Sequence, residues 1–143
     1  MRHDLSIQQL GDLLELPLVS TLATYRRNGT VLLSPVWHEW HDGGLNICAM
    51  PSDVKVRHIR RDPRASVVIY DQVPPYRGLE LRSSPRLLED GPTYAAVIRR
   101  IAVRYLGERE GSAYAATAGE RGVVIRLEPG ELRTWDFADD FAG

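Results

Sequence analysis

The residues best suited to chemistry in this chain lie between Ser52 and Arg64. That stretch holds five cations (Lys55, Arg57, Arg60, Arg61, Arg64) against two acids, Asp53 and Asp62. Its local charge is +3 in a chain of net charge −1, so the remainder sums to −4. A cationic stretch on an otherwise acidic chain points to a local anion site. It argues against nucleic acid or a membrane surface as a general partner. Ser52 is a favoured N-cap residue and places Asp53, Val54 and Lys55 in the first turn of a short helix, Asp53 to Arg61, which Pro63 ends. Unpaired N–H groups and the positive end of the helix dipole suit a bound anion there. A lysine does not fit so well, because a cation in the first turn opposes the dipole at a cost of roughly 0.3–1 kcal/mol. A bound phosphate reverses that sign. Lys55 is also the one lysine among 18 lysines and arginines. The expected occupant is therefore a phosphate, and the bland alternative is a solvated basic helix face.

Other constellations carry less. His38-Glu39-Trp40-His41 lacks the helical spacing of a zinc-binding His-Glu-x-x-His, and no second Cys/His cluster completes a tetrahedron. No metal is expected. Gly-x-Ser-x-Gly, Gly-x-Gly-x-x-Gly and P-loop patterns are absent, so no catalytic nucleophile is assigned. Trp37, on a hairpin preceding the basic stretch, is a candidate wall for a planar ring. His58 reads as a neutral hydrogen-bonding residue, and Cys48 as a small core residue.

The elements that must position these residues read as follows. Leu5, Ile7, Leu10, Leu13 and Leu14 recur at helical spacing, predicting an amphipathic helix from Asp4 to Leu16 that Pro17 stops. Leu18 to Tyr25, Val31 to Trp40 and Leu45 to Met50 predict a three-stranded meander turned at Asn28-Gly29 and at Asp42-Gly43. Val31 to Trp40 is apolar on both faces, which predicts a second covering surface, most simply another subunit. Pro35 predicts a bulge or an edge. Strands follow at Ala65 to Tyr70, Gly78 to Leu88, Gly122 to Leu127 and Glu131 to Phe137. A clear helix is expected at Thr93 to Leu106, and a partly helical stretch at Glu108 to Gly119. Hairpins with inserted helices argue against a doubly wound parallel sheet. Six or seven strands with two or three helices fit a mainly β fold, a closed or split antiparallel barrel with flanking helices. The length of 143 residues suits one domain, residues 1–143. No window approaches the roughly 18 apolar residues of a membrane span. A single cysteine and the lack of a basic-then-apolar leader fit the cytoplasm.

Several pieces in order resemble the pyridoxamine 5′-phosphate oxidase-like split β-barrel family. They are Ser20 to Thr24, Gly29 leading to Ser34-Pro35-Val36-Trp37, Ser52 to Ser66, Pro74 to Gly78, Arg104 to Gly107, and Val124 to Arg126 leading to Arg133 to Asp136. Lys55 with Arg60 to Arg64 is the most specific part. Within that family the chain looks most similar to short actinobacterial members that bind FMN or the deazaflavin coenzyme F420. The resemblance implies a split barrel of the FMN-binding type and a homodimer with cofactor sites between subunits. Ser34, Pro35, Val36, Trp37 and Met50 would line the ring. Ser52, Lys55, Val56 and Arg57 would hold the phosphate or ribityl end, Arg61 an extended tail, and Tyr76 would cover the ring from the partner chain. His58 stands where these helices commonly carry asparagine, and the C-terminal substrate motifs of true pyridoxamine phosphate oxidases are not found in Glu131 to Gly143.

The implied activity is an oxidoreductase passing hydride between reduced F420 and a small-molecule substrate. An FMN-dependent oxidoreductase and a non-catalytic flavin, deazaflavin or haem carrier are the alternatives, the last through His38 or His58.

Overall fold

β-Branched and alternating runs dominate the chain, and in the computed structural model, which describes residues 1–141, they form two antiparallel sheets with three helices. The strands among the described residues are β1 (Arg2–His3), β2 (Ser20–Tyr25), β3 (Val31–Val36), β4 (Glu39–His41), β5 (Gly44–Ala49), β6 (Ala65–Tyr70), β7 (Gly78–Ser83), β8 (Arg86–Leu88), β9 (Val123–Leu127) and β10 (Glu131–Asp136). The helices are α1 (Val54–Arg61), α2 (Gly91–Leu106) and α3 (Glu108–Ala118). One sheet runs β1-β10-β7-β6-β2-β3 and the other β4-β5-β9-β8. Inward side chains of both sheets fill one core. Leu22, Ile69, Leu79 and Leu81 from the larger sheet meet Leu45, Ile47, Ile125 and Leu127 from the smaller.

Two segments expected as single strands are each broken in two. Val31 to Trp40 becomes β3 and β4, and Gly78 to Leu88 becomes β7 and β8. In both cases the chain leaves the larger sheet and enters the smaller one. The break at Trp37-His38 turns His38 fully into the interior, and Pro85 supplies no N–H for a continuous ladder at the other. These corners raise the seven expected strands to nine, and the short β1 at the N-terminus makes ten. β3 is the edge of its sheet, as Pro35 implied, with Val31, Leu33 and Pro35 exposed along one face.

The N-terminal segment departs further from expectation. Asp4 to Leu16 is not one helix but two 3₁₀ turns, Gln8–Leu10 and Leu13–Glu15, separated by Gly11 at φ +66°. The leucines that suggested a helix are buried all the same, Leu10 and Leu13 almost completely. Arg77 holds the break by donating to the Leu10 carbonyl at 2.8 Å and to Asp12 at 2.7 Å. Arg104 donates to the carbonyls of Leu14, Glu15 and Leu16. Burial and arginine capping thus outweigh helix propensity here.

The outer face of the smaller sheet carries a polar row. Glu39, Asn46, Arg126 and Arg86 stand opposite one another on β4, β5, β9 and β8. Glu39 is only 6% exposed. It accepts from Asn46 at 2.8 Å and from two nitrogens of Arg100, on α2, at 2.9 Å each. The bidentate pair ties α2 to the sheet. Removing one partner of a buried pair leaves the other charge uncompensated. Because the Arg100 side chain is partly exposed, we expect Arg100→Met to cost about 2 kcal/mol rather than the 3–5 kcal/mol of a fully buried pair. Urea denaturation of the two proteins at neutral pH checks this.

Candidate functional site

α1 is seated by Val56 and Ile59, both buried in the core, and by His58, whose Nδ1 lies 3.0 Å from the Thr24 hydroxyl. With these side chains inward, the remaining positions divide between the flanks of the helix. Lys55 lies on one flank, in the wall of a cavity of about 380 Å³ that also includes Pro35, Val36 and Trp37. This size is within the range of small-molecule sites. Val19, Cys48, Tyr114 and the α2 residues Ile98 and Ile101 complete the wall. Arg57 and Arg61 lie on the other flank, where they join Arg27, Val54 and His58 around a smaller cleft of about 260 Å³.

The helix starts one residue later than Ser52 implied. Asp53 takes the N-cap position with extended backbone, and no side chain caps the first turn. The Asp53 carboxylate instead accepts from the Met50 N–H at 3.0 Å and from Lys55 Nζ at 3.3 Å. The Met50 hydrogen bond, with the nearby ammonium, holds its pKa below the usual carboxylate range. Asp53 therefore turns back toward the preceding loop and braces Lys55. Ser52 is exposed in the turn before the helix.

Pairing also sorts the five cations. Lys55 pairs with Asp53, Arg60 with Glu89, and Arg64 with Asp62. Arg57, Arg61 and Arg27 face no carboxylate within ion-pair distance among the described residues. Arg61 donates to the Tyr25 carbonyl. The His58 pKa is lowered, by burial first and then by the positive fields of Arg61, Arg26 and Arg57.

The structure thus gathers Pro35, Val36, Trp37 and Lys55 in one place and separates the other expected residues from it. Val56 has its side chain fully in the core and its N–H donated to the Asp53 carbonyl, so it holds the helix and offers no free group. Ser34 sits on β3 opposite Leu22. Met50 lines a neighbouring cleft with Tyr94 and Tyr114. Tyr76, at φ +57°, belongs to the loop pinned by Asp71 and Arg77 and packs against Phe141, with ring centroids 6.1 Å apart. Trp37 is stacked on Tyr105 at 4.9 Å with planes 6° apart, so one face of the indole is already covered. Cys48 packs against the core beneath α2, as expected, and also forms part of the cavity wall. Burial, then the field of Glu39, pushes its thiol up to about 12, so it stays protonated at neutral pH.

Tyr114, half-exposed on α3 and tilted against Trp37 at 5.9 Å, is the main residue that sequence reasoning missed. Its only sequence signal is a lone aromatic in a stretch of small and polar residues.

Residues 7–136 match the pyridoxamine 5′-phosphate oxidase family. The chain belongs to that family. Among solved structures, it is similar to a conserved hypothetical protein of Mycobacterium tuberculosis at TM-score 0.82 and 23% identity, covering 93% of this chain and 86% of the other. An F420 reductase aligns at TM-score 0.66 and 26% identity, covering 85% of this chain and 93% of the reductase. A FAD-binding protein of Mesorhizobium loti aligns at TM-score 0.68 and 16% identity, covering 93% of each chain. No curated protein matches the chain. The residues that line the Lys55 cavity all lie within the matched range.

The two histidines considered as haem ligands are both interior, His38 fully buried and His58 7% exposed. Ser20 donates to the Val36 carbonyl, and Tyr105 donates to the Leu18 carbonyl. His38 Nδ1 lies 2.9 Å from the Ser20 hydroxyl and 3.3 Å from the Tyr105 hydroxyl. Nε2 is buried without a partner. Burial, assisted by Arg104, pulls the His38 pKa down to about 3. The unfolded chain gains a proton near pH 6.5 that the folded chain refuses until near pH 3, so stability falls as pH drops between those values. The slope expected from His38 is about 1.4 kcal/mol per pH unit. Denaturation midpoints at pH 7 and pH 5 in wild type and His38→Asn check it: the variant is expected to lose this component of the slope.

Proposed function

We propose that this protein is an oxidoreductase that holds coenzyme F420 in the Lys55 cavity and passes hydride between it and a small organic substrate. The observation that carries this reading is the position of Lys55. Its ammonium lines a cavity walled by Pro35, Val36 and Trp37, beside a helix N-terminus that no side chain caps. A phosphate there meets an ammonium and free N–H donors together. A cavity of about 380 Å³ with apolar walls suits the ring of such a cofactor. When bound, the deazaflavin supplies hydride, and the protein supplies orientation and electrostatics.

The second basic cleft favours F420 over FMN. Among the described residues, Arg27, Arg57 and Arg61 stand without carboxylate partners on the far flank of α1. A ligand with a single phosphate satisfies Lys55 and leaves those three unused, whereas a ligand with an extended anionic tail engages both flanks. The 26% identity to an F420 reductase over 85% of the chain supports the same choice. FMN, in a split barrel of the FMN-binding type, is the second reading.

The exposed strip Val31, Leu33 and Pro35 on the edge strand supports a homodimer, since it leaves apolar surface beside the cavity. In that dimer Tyr76 of the partner covers the ring. Ser34, Met50 and Ser52 then line the cofactor's approach, while Arg57 and Arg61 take the tail. A cytoplasmic location fits the lone, protonated Cys48. No helix among the described residues is long and apolar enough to cross a membrane.

Titration of the purified protein with F420 and with FMN tests the assignment. Micromolar or tighter binding of F420 is expected, weakened about tenfold or more in Lys55→Ala, the loss expected for one charge-assisted contact. Arg57→Ala combined with Arg61→Ala is expected to weaken F420 more than FMN. Failure to bind either cofactor overturns the function. Light scattering tests the assembly separately: a dimer is expected, with Leu33→Glu shifting it toward monomer, and a strictly monomeric wild type overturns it.

A further inference from the structure

A second cleft, of about 310 Å³, adjoins the Lys55 cavity and shares one residue with it, Tyr114. Its other lining residues are Met50, Tyr94, Thr117, Ala118 and Arg121. We propose that this cleft is the organic substrate's pocket, and that it takes a flat apolar carboxylate, most simply an aromatic acid. The proposal rests on the reading of the Lys55 cavity as the cofactor site, because the shared Tyr114 is what puts the two ligands side by side.

Three features support a built site. Tyr94 is buried as a residue, but its hydroxyl is open at the cleft and has no hydrogen-bond partner among the described residues. A phenol left free at the wall of a cleft is available to donate to a ligand there. Tyr94 is also placed with little tolerance. A Cβ at residue 122 would lie 2.1 Å from its ring, so glycine there is what admits the ring.

Among the described residues, Arg121 brings the only charge in the cleft. Its Nη2 donates to the Thr117 carbonyl at 2.8 Å and its Nε reaches the Ala118 carbonyl at 3.5 Å, both near the C-terminal end of α3. That cap uses two of the five N–H donors and leaves the Nη1 side for a ligand. No carboxylate of the described residues pairs with it. Arg121 also lies close enough to Tyr94 to act on its ionisation, opposing the upward push of burial, Cys48 and Tyr114. One cation beside one unpaired phenol matches the two oxygens of a carboxylate. The remaining walls are apolar or aromatic. Half-exposed Tyr114 and Met50 offer a ring face and a thioether to a flat body.

The probe is 2-naphthoate, with 2-naphthalenemethanol as its uncharged counterpart, each titrated against the purified protein by calorimetry. Saturable binding of the naphthoate is expected, at least tenfold tighter than the alcohol. Arg121→Gln is expected to weaken it tenfold or more, and Tyr94→Phe about threefold with the ring still seated on Gly122. Arg121→Lys, which keeps the charge, is expected to retain most of the affinity and so separates recognition from loss of the helix cap. Thermal melts confirm that each variant is folded.

Lys55→Ala distinguishes this proposal from the cofactor reading. It is expected to lose F420 and keep the naphthoate. Naphthoate binding that survives Arg121→Gln but not Lys55→Ala would move the anion to the cofactor cavity and overturn the proposal. Equal affinity for acid and alcohol, or no binding of either, would overturn it as well. If the naphthoate binds as expected while neither F420 nor FMN binds, the pocket stands and the cofactor reading fails.

Discussion

The seating of α1 governs the rest of the site. An eight-residue helix turns through about 100° per residue, so burying Val56 and Ile59 leaves no freedom over where its neighbours point. Lys55 must rise on the flank toward β3, and Arg57 and Arg61 on the flank toward Arg27. His58, tied to Thr24 on β2, fixes the helix against rotation. The cationic stretch is therefore two separate positive surfaces with a hydrophobic keel between them. Like charges that would repel one another on a single face are parted by the core itself. The pairing of Arg60 and Arg64 with acids then confines the unneutralised charge to Arg57 and Arg61 on the Arg27 side.

The opposite wall depends on the corner at Trp37-His38. There the chain leaves the larger sheet for the smaller, and the corner is held by buried polar contacts rather than by a ladder. The His38 N–H donates to the Tyr105 hydroxyl at 3.1 Å, and that hydroxyl donates onward to Leu18. The same tyrosine stacks its ring on Trp37. One α2 residue thus fixes the backbone of the corner and the plane of the indole together. The Arg100–Glu39 pair anchors α2 to the sheet on its other side. The position of Trp37 in the cavity wall is consequently a property of α2 as much as of β3.

Much of this was legible in the sequence, and the failures have identifiable causes. The cationic stretch was readable from composition, and Lys55 stood out as a locally unfavourable choice at a helix start, a misfit that its pairing with Asp53 offsets in part. Its neighbour Asp53 was harder, since whether a carboxylate caps a helix or turns back to the preceding loop depends on the Met50 backbone. The strand breaks at Trp37-His38 and Ser84-Pro85 were invisible to periodicity, which continues unaltered across a corner between sheets. Leu10, Leu13 and Leu14 gave the right burial with the wrong conformation, because burial follows the apolar pattern while the path here is set by Arg77 and Arg104, distant in sequence. Val56 entered the expected phosphate set through the family resemblance; its side chain lies in the core and its N–H is donated to the Asp53 carbonyl.

Tyr114 marks the boundary of what local pattern can reveal. It belongs to α3, a helix whose chief packing partner is α2, so its place above the cavity is set by the hairpin and by no feature of its own segment. This has a consequence for how the fold divides its tasks. Lys55, Pro35 and Val36 belong to elements locked into the barrel core, where a shift would disturb many contacts. Tyr114, Thr117, Ala118 and Arg121 lie on or just after α3, which packs chiefly on α2 rather than on the sheets. Changes there alter the shape and charge of the mouth at little cost to the barrel. A fold built this way can keep the Lys55 wall constant while the wall facing it is free to diverge.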